Sequence, residues 1–134
     1  MADDWREIVP ISPELFVPDV TEAVKFYTEK LGFAAFRVER QGDREIFAIV
    51  VMANAVVMFA ADHLYQAMGS RVESPRGVAI DIRVVVDDVD AVYGRCIENG
   101  VTIVHDIGDR YYGLRDFVIA DLNGFRLRFA APLR

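Results

Sequence analysis

Two stretches of the chain carry the same alternation of hydrophobic and polar positions. In the first, VPDVTEAVKFYTEKLGF from Val17, the apolar residues Val20, Ala23, Val24, Tyr27 and Leu31 recur at the spacing of one helix face. Asp19 occupies the N-cap position with Glu22 as in a capping box, and Gly32 follows the last apolar residue, so both ends of a helix are marked. In the second, VDDVDAVYGRCIENGV from Val86, Asp88 is the cap. Val89, Val92, Cys96 and Ile97 form the stripe, and Asn99-Gly100 supplies a left-handed stop.

Each helix follows a strand-like run, Ile11 to Val17 and Val78 to Val86, and precedes three more. In the first half these are Phe33 to Glu39, Glu45 to Val51 and Ala55 to Ala61, with turns at Gln41-Gly42-Asp43 and Ala53-Asn54. In the second they are Val101 to His105, Arg115 to Ala120 and Phe125 to Ala130, with Asp121 to Gly124 as a hairpin turn. The pattern predicts an α+β fold of two tandem βαβββ modules, 8–61 and 78–134, within a single domain spanning 1–134. The stretch 62–77, with Gly69-Ser70 and Ser74-Pro75, reads as a linker that begins with a helical turn. Each unit covers one sheet face with its helix, and two such units can shield the other faces by forming a curved mixed sheet around a shared cleft.

Composition narrows the function classes. A chain of 134 residues, 53% hydrophobic and 27% charged, is long enough for one core that buries roughly two-thirds of the unfolded surface. A formal net charge of −6 disfavours nucleic acid, whose backbone is held by clustered Lys and Arg, and its field mildly favours cations. Cys96 is the lone cysteine, on the apolar stripe of the second helix, so no intrachain disulfide can form and a buried structural thiol is expected. The start, MADDWREIVP, has neither the basic residues nor the apolar run of a secretory leader, and nothing approaches the ~18 apolar residues of a membrane span. A soluble, cytoplasmic protein with no membrane partner is the expectation.

The phrases VPD at Val17, FYTEKLGF from Phe26, VDDVDAVY from Val86 and YGLRDFVIADLNGFRLRF from Tyr112 occur in an order that resembles the vicinal oxygen chelate superfamily. That superfamily includes glyoxalase I, extradiol dioxygenases, fosfomycin-modifying enzymes and bleomycin resistance proteins. The resemblance covers roughly Pro10 to Pro132, and its last phrase is most similar to the bleomycin resistance branch. It implies the tandem-module fold and a homodimer. In metal-using members one ligand comes from each of four strands, and those positions fall here on Ser12, Met58, Asp81 and Arg128. Only Asp81 is a hard anionic ligand, and arginine has no lone pair to give, so no metal and no other cofactor are expected.

Strand parity adds to this set. In GFRLRFA, from Gly124, Arg126 and Arg128 share the face opposite Phe125, Leu127 and Phe129. Asp81 shares its side with Arg83, and Ser12 with Glu14, so Glu14, Asp81, Arg83, Arg126 and Arg128 converge on one cleft. Two readings stand. The charges form a salt-bridge network, Asp81 to Arg128 and Glu14 to Arg126 or Arg83, or a surplus arginine grips a carboxylate or phosphate of a ligand. Tyr112 and Arg115, with Tyr111 beside them, are placed at the cleft mouth, and Phe36 is an aromatic wall candidate. His63 and His105 lack neighbours at metal-ligand spacing.

The expected function is that of a metal-independent protein binding an antibiotic-type small molecule, aromatic or amphipathic, as the resemblance to bleomycin resistance proteins implies. The alternatives are a superfamily enzyme, lyase, isomerase or dioxygenase, with Glu14, Asp81 or a tyrosine as acid or base, and a sensor or assembly module with a closed cavity.

Overall fold

A computed structural model of the protein describes residues 9–134. The acidic, polar start and residue 8, the first of the expected first module, lie outside the described residues.

The first βαβββ series is β1 (Glu14–Val17), α1 (Val20–Lys25), β2 (Ala34–Gln41), β3 (Arg44–Met52) and β4 (Ala55–Ala61). A short helix, α2 (Asp62–Ala67), opens the linker as expected. The second series is β5 (Asp81–Val85), α3 (Val89–Glu98), β6 (Thr102–Asp109), β7 (Leu114–Ala120) and β8 (Arg126–Pro132). The chain forms two compact units whose boundary lies between Val72 and Glu73, with Glu29–Gly32 counted in the second. In both units the first strand pairs in parallel with the last, and the sheet orders are equivalent: β1-β4-β3-β2 and β5-β8-β7-β6.

The helix caps behave as their residue types dictate. Asp19 accepts a hydrogen bond from the Glu22 backbone N–H at 3.0 Å, and Asp88 accepts one from Ala91 N–H, also at 3.0 Å. Losing the second should cost about 1 kcal/mol, so Asp88→Ala is expected to shift the urea midpoint modestly downward without altering the cooperativity of unfolding.

The first helix departs from the sequence pattern after Lys25. Phe26–Leu31 is a π-helical turn, not a continuation of α1. The Thr28 hydroxyl donates to the Val24 carbonyl at 2.8 Å, competing for the acceptor that a regular helix would give to a backbone N–H. Tyr27 and Leu31 remain fully buried through the wider turn. Its last carbonyls are also satisfied, because Arg95 and Asn99 of α3 donate to Glu29 and Lys30 at 3.1 Å.

In the first unit, Leu15, Val17, Val20, Ala23 and Tyr27 pack with Phe59, whose ring lies 4.7 Å from that of Tyr27. In the second, Val84, Val89 and Leu127 join Phe117 and Phe129, whose rings stack 5.3 Å apart. Cys96 is buried there and its thiol is pushed up to about 11 by burial, with Arg95 pulling slightly the other way, which makes it an inert core residue. Ile97, expected on the apolar stripe, is half exposed.

Candidate functional site

Strand pairing in the second unit builds a chain of charges on one sheet face. The hairpin turn fixes the register. Asp121 Oδ1 accepts from the backbone N–H groups of Asn123 and Phe125, at 2.8 and 3.0 Å, and this Asx turn aligns Ala120 with Arg126 and Val118 with Arg128. Side chains two apart share a face, so Asp116, Val118, Arg126 and Arg128 lie on the same side of β7 and β8. Parallel pairing then sets Asp81 beside Arg126 and Arg83 beside Arg128.

Arg128 bridges two carboxylates. One nitrogen, Nη2, donates to Asp81 Oδ2 at 3.0 Å, and the other, Nη1, donates to Asp116 Oδ2 at 3.2 Å. Asp116, with no side-chain exposure, also accepts from Arg110 Nε at 2.7 Å and from the Tyr112 hydroxyl at 2.6 Å. Asp81 lies 2.7 Å from Arg126 Nε, at an angle outside hydrogen-bonding range, and accepts from Arg126 Nη2 at 3.4 Å. The order is therefore Arg110, Asp116, Arg128, Asp81, Arg126.

Electrostatics follow from these contacts. Burial is the largest influence on Asp116 and would raise its pKa, but hydrogen bonds from Tyr112, Arg110 and Arg128 together hold it below the ordinary 3.8. Asp81 behaves likewise: burial raises, and the Arg128 and Arg126 contacts outweigh it. Tyr112 is shifted upward because its hydroxyl serves the Asp116 carboxylate. Arg128 loses some basicity to burial and regains more from its two aspartates, so it stays a cation.

This placement partly redraws the expected site. The Asp81 to Arg128 pair is present. Glu14 is exposed on β1 of the first unit, and within the second unit Asp116 is the second carboxylate of the cluster. Ser12, Glu14, Phe36 and Met58 belong to the first unit, where Glu14 is in register with Met58. Arg115 falls on the face opposite Asp116 by alternation and reaches toward α3, pairing with Asp90 at 3.0 Å and with Asp109 at 2.9 Å. It does not join the cluster. Arg83 is exposed and has no ion pair among the described residues.

Sequence parity could have found Asp116: with Arg115 it is one of two charged residues in a mostly apolar strand, in phase with Val118 and Ala120 and diagonal to Arg128 once the turn is aligned. Arg110 had no comparable signal, since it reaches Asp116 from the β6–β7 turn.

A family-type metal does not fit these side chains. Of the four positions that the resemblance gives to metal ligands, Arg128 has no lone pair to offer, and the one hard anion, Asp81, is neutralised by two guanidiniums. Among the described residues no three His, Cys, Asp or Glu are grouped to hold an ion. An open cleft of about 630 Å³ in the first unit runs from Asp19 and Glu22 to Asp43 and Glu45 and contains none of the predicted site residues. Its chemistry is that of a solvated acidic surface. No helix among the described residues is long and apolar enough to cross a membrane.

Comparison with known proteins matches this architecture. An uncharacterized protein of Mycobacterium bovis is 27% identical over 127 residues, covering 92% of this chain and 84% of the relative. TioX from Micromonospora superposes with a TM-score of 0.71 at 23% identity, covering 92% of this chain and 96% of that one. A glyoxalase/bleomycin resistance protein/dioxygenase family enzyme from Burkholderia phytofirmans gives 0.71 at 22% identity, with 91% and 97% covered. At such identities the two structures establish the fold alone. The family model of the glyoxalase/bleomycin resistance protein/dioxygenase superfamily matches residues 8–129, and the chain belongs to that superfamily.

Proposed function

We propose that the protein is a metal-independent binding protein for an aromatic or amphipathic small molecule of antibiotic type, working as a homodimer in the cytoplasm. The observation that carries this reading is a salt-bridge chain through Asp81 and Arg128, two of the positions that the resemblance gives to metal ligands. Arg128 is a permanent cation at a ligand position, and Asp81 is held ionised and doubly paired, so it can neither bind a divalent ion without losing two ion pairs nor serve as a neutral acid near pH 7. What remains is recognition. Tyr111 is fully exposed and its ring meets that of Tyr112 edge-on at 5.2 Å, a surface on which a flat ligand can stack.

Equilibrium titration of chelator-treated protein against a panel of glycopeptide and aromatic antibiotics tests the proposal. Saturable binding of at least one compound in the micromolar range is expected. Failure of every compound to bind below millimolar concentration would contradict it.

A further inference from the structure

We infer that the ligand carries an anionic group, a carboxylate or phosphate, held by Arg83 and the outer side of Arg126, next to an aromatic or apolar body. The inference rests on the binding-protein reading and deepens it by naming the ligand's charge.

The charge count on the second unit's sheet face is the first support. Four guanidiniums, Arg83, Arg110, Arg126 and Arg128, are set against two carboxylates, Asp81 and Asp116. A local excess of positive charge thus sits on a chain whose formal net charge is −6. A purely structural network would need no such excess, because Asp116 is already served by Arg110, Arg128 and Tyr112, and Asp81 by Arg126 and Arg128.

Donor accounting is the second. Arg128 commits both terminal nitrogens to aspartates and Arg110 is committed to Asp116 and the Asp106 carbonyl, so neither can turn to a ligand without breaking the chain. Arg83 commits none of its donors among the described residues, and its backbone is fixed in β5 beside Arg128. Arg126 faces Asp81 with one edge, and its side chain is 40% exposed. A planar oxyanion meeting a guanidinium fork edge-on makes two parallel charge-assisted hydrogen bonds, which is the recognition these two side chains can offer.

The neighbouring surface supplies the ligand's other half. Tyr112 donates to Asp116, which also accepts from Arg128, and Tyr111 adjoins it, so the two rings stand at the Asp116 end of the row, with Arg128 on β8 between them and Arg83 on β5. The class that satisfies both features is an aromatic acid or aryl phosphate.

The test is an NMR titration of the full chain, ¹⁵N-labelled, following the arginine Nε–Hε signals with benzoate, phenyl phosphate and the neutral isostere benzamide. Benzoate and phenyl phosphate are expected to shift Arg83 and Arg126 saturably in the millimolar range, and benzamide is not. Tighter binding of phenyl phosphate than benzoate would assign the anion as phosphate, and the reverse as carboxylate. Arg83→Gln removes no ion pair, so the fold is retained, and it should weaken the anions about tenfold. Arg40→Gln on β2 carries the same charge change and should weaken them little. Equal shifts with benzamide, equal losses in both variants, or no saturable arginine shift with either anion would overturn the inference. The binding-protein reading falls separately, only if the antibiotic panel also fails.

Discussion

Asp116→Ala is expected to destabilise the protein by about 3 kcal/mol, near the lower end of what removing one partner of a buried ion pair costs. The Asp116 side chain has no solvent exposure and accepts from three donors. Deleting it leaves Arg110 without its anion and gives Arg128 only Asp81 to pair with. The guanidiniums, 21% and 23% exposed, can recover part of their hydration, which keeps the loss from the top of the range. Because a domain has only about 5–15 kcal/mol to lose, the change should be plain in a urea unfolding curve. Asp116→Asn keeps the volume and one acceptor for the Tyr112 hydroxyl, so it should cost less. If Asp116→Ala unfolds like the wild type, the chain of ion pairs is not an organised element of the unit.

Acid should be the second strong perturbation. Asp116 and Asp81 both ionise below the ordinary carboxylate value of 3.8 in the folded protein and return to about that value when unfolded. Near pH 3.8 the unfolded state therefore binds more protons. The stabilisation from these groups is fully present above the unfolded pKa and drains away as pH falls from there through the lower folded values. Unfolding free energy measured from neutral pH down through this window should fall more steeply for the wild type than for a double Asp81→Asn, Asp116→Asn variant. Parallel pH dependences would mean that the two carboxylates titrate alike in both states.

The fold was largely legible from pattern alone, and particular residues show why. Asp19 and Asp88 cap their helices as the repeated phrases require, and β4 runs from Ala55 to Ala61 as read from the sequence. These features depend on local chemistry, which spacing records. The π-helical turn was missed because the Thr28 hydroxyl competes with the backbone at one carbonyl, an event no hydrophobic period encodes. β6 extends to Asp109, beyond the expected end at His105, and pairs with β7 through register shifts between Ile103 and Gly108.

The site was legible in half. Asp81, Arg126 and Arg128 come together because β5 and β8 pair in the parallel register that the repeated module implies. Asp116 and Arg115 are adjacent in sequence, and only the alternation of β7 decides which of them enters the cluster. The aspartate does, and the arginine turns to α3. Side-chain parity within a strand carries no information about distance between modules, so it brings charges together only within one of them.

Elemental analysis with native mass spectrometry, on protein purified without chelator, is the most direct measurement of whether the salt-bridge chain has replaced a metal site. A protein free of divalent ions, with zinc, iron and manganese all far below one per chain and no mass gain on their addition, is the expected result. A stoichiometric divalent ion that survives dialysis would contradict it, and would mean that side chains other than Ser12, Met58, Asp81 and Arg128 form the centre.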